Sequence, residues 1–151
     1  MPSPMWSWST PSTCPVVQEC AHKHLDNHPR IHLIAPLAVD EMHNLMARCH
    51  LVMTDSGGLQ EEAPALGKPV LVLRKETERP EAVQAGTVKL AGVEEETIFQ
   101  MASELLSDPT AYDKMAHAVN PYGDGEACRR IVDAIEWHFG LRSEQPDAFN
   151  P

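Results

Sequence analysis

Residues 51–86, LVMTDSGGLQEEAPALGKPVLVLRKETERPEAVQAG, constrain the fold more than any other part of the sequence. The apolar run Leu51–Met53 stops abruptly at Thr54-Asp55-Ser56-Gly57-Gly58, and a second continuous apolar run, Pro69–Leu73, follows about one helix-length later. The pattern predicts strand, tight turn, helix, strand and loop. Asp55 or Ser56 is placed to cap a helix over 59–66, Gly67 to end it, and Gly57 and Gly58 to take φ > 0 or to let a ligand approach the backbone. A turn of this kind aims unpaired N–H groups and the positive end of a helix at one point, which suits a phosphate. Ser and Gly also serve in any tight strand-to-helix connection, so the turn alone leaves plain capping equally open.

The flanking segments repeat the alternation. Val16, Val17, Cys20, Ala21 and Leu25 recur at helical spacing after Pro15, and Asn27-His28-Pro29 ends that helix. Ile31–Ile34 reads as a strand and Val39–Arg48 as a helix with Met42, Leu45 and Met46 on one face. A short helix from Pro80, a strand over 87–90 and an amphipathic helix over 94–106 (Ile98, Met101, Ala102, Leu105, Leu106) follow. Another helix starts at Asp108-Pro109. After the break Asn120-Pro121-Tyr122-Gly123-Asp124-Gly125, a last helix over 126–139 carries Cys128, Ile131, Val132, Ile135 and Phe139 as a stripe. Residues 1–14, rich in Pro, Ser and Thr, show no periodicity and are expected to lack regular structure. Residues 15–139 make the domain and 140–151 a frayed polar tail. Strands alternating with helices imply an α/β domain with a Rossmann-like parallel sheet and flanking helices, whose ligands bind beyond the carboxyl ends of the strands.

Charge and chemistry narrow the partners. With 12 Lys and Arg against 22 Asp and Glu, the net charge of −10 argues against nucleic acid or an anionic membrane surface. Cysteines 14, 20, 49 and 128 form no CxxC pair, which suits a reducing cytoplasm rather than a zinc site or disulfide framework. His22, His24 and His28 lie close in sequence, but on a helix His24 and His28 share a face that His22 does not, and a solvated face is the simpler reading. Ser56 lacks a G-x-S-x-G elbow and a His in the neighbouring short loops, so it is not read as a nucleophile. Glu61 and Glu62 are placed to meet a ribose diol, or simply to sit near a helix N-terminus. Arg79 is placed to hold a phosphate, or to form a surface ion pair.

Thr54-Asp55-Ser56-Gly57-Gly58-Leu59-Gln60-Glu61-Glu62-Ala63-Pro64, Gly67-Lys68-Pro69-Val70-Leu71-Val72, Thr77-Glu78-Arg79-Pro80-Glu81-Ala82, Ala85-Gly86-Thr87 and Asn120–Gly125, in that order, resemble the non-hydrolysing UDP-N-acetylglucosamine 2-epimerases. The resemblance runs from about Val16 to Phe139 and covers the C-terminal domain of that family. It implies the C-terminal half of a glycosyltransferase-B-type fold. Ser56, Gly57 and Gly58 match the diphosphate turn, Glu62 the ribose carboxylate and Arg79 the phosphate-side arginine. Met42 stands where an aromatic residue often lies near the uracil.

The family reaction eliminates UDP across carbons 1 and 2 of the sugar and re-adds it with inversion at carbon 2, without a metal or redox cofactor. The family's acid/base carboxylates belong to an N-terminal domain that this chain does not carry, so no residue here is assigned a catalytic role. The first two strands of the C-terminal domain are also expected to be missing, with residues 1–14 standing in place of a His-x-Asn-Pro motif. A truncated or shifted reading of a longer gene is the expected origin. In the doubly wound order 3-2-1-4-5-6, that loss would leave the strand at Ile31 to pair with the strand at Leu51 or to expose its edge, favouring self-association, a homodimer included. The alternative function is a nucleotide-sugar glycosyltransferase or its non-catalytic UDP-sugar-binding subunit, and a third reading is a remnant that acts only beside a complete protomer.

Overall fold

The computed structural model describes residues 8–11, 15–26 and 28–149. In chain order the elements are β1 (Trp8–Pro11), α1 (Pro15–Leu25), β2 (Ile31–Ile34), α2 (Val39–Arg48), β3 (Val52–Thr54), α3 (Gly57–Ala65), β4 (Val70–Val72), α4 (Pro80–Ala85), β5 (Val88–Leu90), α5 (Glu95–Ser107), α6 (Pro109–Ala116) and α7 (Ala127–His138). The architecture is α/β, with every strand pairing parallel. The strands form two sheets, β1–β2 and β3–β4–β5. The chain divides into two units, Met1–Asn44 and Leu45–Pro151.

In the first unit, β1 pairs with β2 in the register Trp8↔Ile31 to Pro11↔Ile34. This corrects the expectation that residues 1–14 lack regular structure, as far as residues 8–11 are concerned; 1–7 and 12–14 lie outside the described residues. No periodicity announced β1, because a four-residue strand is decided by the partner it pairs with more than by its own composition. Pro11, which has no N–H to give a ladder, stands at the strand's end. Among the described residues β2 pairs with β1 and not with the strand at Leu51. α1 ends at Leu25, so His28 lies past the helix and shares no helical face with His24; His22 Nδ1 meets Asp26 Oδ2 at 3.0 Å. α2 opens with Glu41 Oε2 accepting the Ala38 N–H at 3.0 Å, half of a capping box.

The second unit holds the core. Val70, Leu71 and Val72 are each fully buried, as a central parallel strand covered on both faces must be. On one face Leu71 packs with Ala91, Ala102, Leu105 and Met115, so the apolar stripe of α5 together with Ala111 and Met115 of α6 supplies the cover. Asp108 caps α6 by accepting the Thr110 N–H at 2.8 Å. α3 is followed by Gly67 at φ +66°, with Gly67 N–H donating to Pro64 O and Lys68 N–H to Ala63 O, the paired bonds of a Schellman end.

α7 differs from the other helices of this unit. None of its residues is buried, and Ile131, Val132 and Ile135 remain more than half exposed. Its first turn is tied by a two-pronged ion pair, Arg130 Nη1 and Nη2 to Asp124 Oδ1 and Oδ2 at 2.7 and 2.6 Å. The tail is not simply frayed. Arg142 reaches back to Asp133 at 2.5 Å, and Phe149 lies under the Arg130 guanidinium, 5.5 Å from ring centroid to Cζ.

Candidate functional site

The site begins where β3 runs out. Thr54, buried at the strand's last position, accepts the Ser56 N–H on its hydroxyl at 3.0 Å, a short side-chain turn that swings the backbone directly into α3. Ser56 occupies the N-cap position with extended backbone (φ −76°, ψ 129°), but its side chain accepts no capping hydrogen bond. The expected cap is therefore absent in that form: the serine stands where a cap stands, and Thr54 holds the turn.

Of the two uses expected of Gly57 and Gly58, positive φ or close approach to the backbone, positive φ is not realised. Both are inside the first turn of α3, two residues earlier than the apolar pattern suggested, and neither is among the glycines with left-handed backbone. Their need for a missing side chain is steric. A Cβ on Gly57 would stand 3.3 Å from Cζ and Nη1 of Arg79, and one on Gly58 would stand 3.6 Å from Glu62 Oε1 and 3.9 Å from Ser56 Oγ. The guanidinium thus lies directly on the backbone of the first helical turn, where the helix dipole is positive.

Arg79 comes from the polar loop before α4 and occupies that helix's N-cap position. Its Nε donates a short hydrogen bond to Glu61 Oε1, and Glu78 Oε2 lies 3.9 Å from Nη1. The hydrogen bond to Glu61 raises the Arg79 pKa above its ordinary value. The ion-pair reading of Arg79 is thus realised, and it orients the cation across the α3 N-terminus. Ser56, Gly57, Gly58, Glu62 and Arg79 come together here. Met42 belongs to the other unit, half-buried on α2.

Three residues that were quoted without a role complete the arrangement. Gln60 is fully buried and its Oε1 accepts the Thr77 hydroxyl at 2.7 Å, while Thr77 Oγ1 accepts the Arg79 N–H at 3.1 Å. Tyr122, from the Asn120–Gly125 segment, has its phenol pushed up to about 12, chiefly by burial and then by the charges of Glu81 and Glu61. An open groove of about 560 Å³ runs from Glu61 and Glu62 past Tyr122 and Gly125 to Ile131. For Gln60, Thr77 and Tyr122 the sequence offered only their place in long motifs. Among the described residues, no group of three or more His, Cys, Asp or Glu is arranged to hold a metal ion, and no helix is long and apolar enough to cross a membrane.

The family model described as UDP-N-acetylglucosamine 2-epimerase matches residues 9–136. The chain belongs to this family. It is 62% identical over 135 residues to the UDP-N-acetylglucosamine 2-epimerase of Bacillus subtilis, covering 89% of this chain and 36% of that protein. A crystal structure of a UDP-N-acetylglucosamine 2-epimerase superposes with a TM-score of 0.90 at 58% identity, over 96% of this chain and 39% of that one. The Neisseria meningitidis enzyme bound to UDP-GlcNAc superposes at 0.80 with 46% identity, over 85% and 36%. The chain therefore spans little more than a third of the length of these relatives, and its fold is a fragment of their glycosyltransferase-B-type architecture.

Proposed function

We propose that this chain carries the nucleotide half-site of a UDP-N-acetylglucosamine 2-epimerase, holding UDP or the UDP part of a nucleotide sugar. The observation that carries the reading is the Arg79 guanidinium laid on the Gly57 backbone at the α3 N-terminus, beyond the carboxyl end of β3. A fixed cation, a row of helix N–H groups and the helix dipole converge there, the combination a diphosphate requires. In this reading Ser56, Gly57 and Gly58 meet the diphosphate, Arg79 a phosphate oxygen, Glu62 the ribose and Met42 the region of the base. The structure of the Neisseria meningitidis relative, bound to UDP-GlcNAc, supports it by likeness.

No step of the reading calls on a metal or redox cofactor. The reading also takes the chain to be cytoplasmic, to use neither nucleic acid nor membrane as a partner, and to self-associate through open strand edges. Its activity is the narrower matter. Abstracting the carbon-2 proton needs a positioned base, and binding the leaving group does not supply one. The chain alone is therefore expected to bind without epimerising.

Titrating the purified chain with UDP and UDP-N-acetylglucosamine by calorimetry, then following the carbon-2 proton of the sugar by NMR in deuterated water, tests both parts. Binding without exchange is the expected outcome. Carbon-2 exchange by the chain alone would overturn the inactive reading, and an absence of binding that Ser56→Asp leaves unaltered would overturn the half-site.

A further inference from the structure

We propose that Thr77 is a positioning residue for Arg79, with Gln60 as the fixed group that sets its direction. A hydroxyl has one proton to give and lone pairs to accept with. The Thr77 proton goes to Gln60 Oε1 at 2.7 Å, so toward the Arg79 N–H, 3.1 Å away, the same oxygen acts as acceptor. Gln60 is fully buried on α3, which leaves its amide oxygen little freedom to follow a drifting loop. The order in the relay therefore runs from the core outward.

Adjacent residues of α3 hold the two ends of one arginine. Gln60 fixes the backbone nitrogen of Arg79 through Thr77, and Glu61 takes the side-chain Nε. Between those two points the guanidinium has to cross the first turn of α3, which is why a Cβ on Gly57 would meet it at 3.3 Å. Arg79 is also the residue that turns the chain into α4, with φ −125° and ψ 63°, outside the regular helical and extended regions. The Thr77 hydroxyl holds its N–H at that bend. The same loop is braced at its other end by Arg74, whose Nη1 meets both carboxylate oxygens of Glu78 at 3.1 and 2.9 Å. Without the Thr77 hydroxyl the Glu61 ion pair would remain, but its cation would hang from an unanchored backbone.

The consequence for ligand binding rests on the UDP reading; the placement of Arg79 does not, and the two are read separately. Amide hydrogen exchange by NMR on the full chain, without ligand, is expected to show the Arg79 amide at least about tenfold faster in Thr77→Val and wild-type-like in Thr77→Ser. Titrations followed by chemical shift are expected to give Thr77→Val a UDP dissociation constant raised about tenfold, with uridine binding unchanged and Thr77→Ser restoring UDP. Uridine lacks the diphosphate, so a merely structural role would weaken both ligands alike. Exchange at Arg79 indifferent to Thr77→Val, or equal weakening of UDP and uridine, overturns the positioning role. A wild-type chain that binds neither ligand while keeping the exchange pattern overturns the UDP reading and leaves Thr77 in its role.

Discussion

α3 and α7 are both short helices, and they invert what their sequences advertise. α7 has the cleaner apolar stripe, yet none of its residues is buried. α3 carries almost no stripe, includes a proline and two glycines, and buries Gln60, Ala63 and Pro64. Helical periodicity reports that a face suits an apolar neighbour; it does not say whether the neighbour belongs to the same chain. α3 is fixed by the sheet beneath it and the loop beside it. α7 is fixed by charge, through Arg130 to Asp124 and Arg129 to both Glu126 and Asp133.

The strongest way to break this contrast is to overfill the covered helix. Ala63 is fully buried, so Ala63→Leu forces its extra carbons into a packed layer and is expected to cost about 3 kcal/mol, at the upper end for such insertions. Urea denaturation followed by circular dichroism would read it as a lower midpoint with an unchanged slope. A variant as stable as wild type would mean that α3 is less closely packed than its burial indicates.

The exposed helix should answer differently. Ile135 on α7 is 52% exposed, and Ile135→Ala is expected to change stability by no more than about 0.5 kcal/mol, as is usual for surface positions. A loss of about 2 kcal/mol or more in the same denaturation would show that something covers α7 in solution. A dependence of that loss on protein concentration would identify the cover as a second copy of the chain.

The same pair of helices shows why the sequence was legible in one place and opaque in another. β3, β4 and α5 could be read because each obeys a local rule: continuous apolar runs for strands covered on both faces, and i, i+3, i+4 spacing for the helix that covers them. Gly67 was legible as a helix end for the same reason, since a positive φ there favours glycine. What could not be read is long-range. β1 depends on pairing with β2, about twenty residues later. The steric need for glycine at position 57 depends on Arg79 crossing over it, and the roles of Gln60 and Thr77 depend on each other across seventeen positions. The long motifs set these residues in order along the chain, but the contacts among them follow no local rule.

The smallest expected effect concerns how α7 is held, and it depends on pH. The hydrogen bonds from Arg130, and after them the Glu126 N–H, hold the Asp124 carboxyl well below the usual carboxylate range. A carboxyl whose pKa is lower folded than unfolded stabilises the fold above its unfolded value, about 3.9, and that contribution is lost as pH falls toward the folded value. Both side chains are partly open to solvent, so the contribution is screened and local. Amide exchange corrected for its intrinsic pH dependence should therefore show α7 loosening relative to α3 as pH falls below about 4. Asp124→Asn should remove most of that difference by loosening α7 at pH 7 already. Salt should act in the same direction, since an open ion pair weakens as ionic strength rises whereas the burial that holds α3 does not. Parallel loosening of both helices on acidification would mean that α7 is held by burial after all, and the contrast between the two would fail at its weaker end.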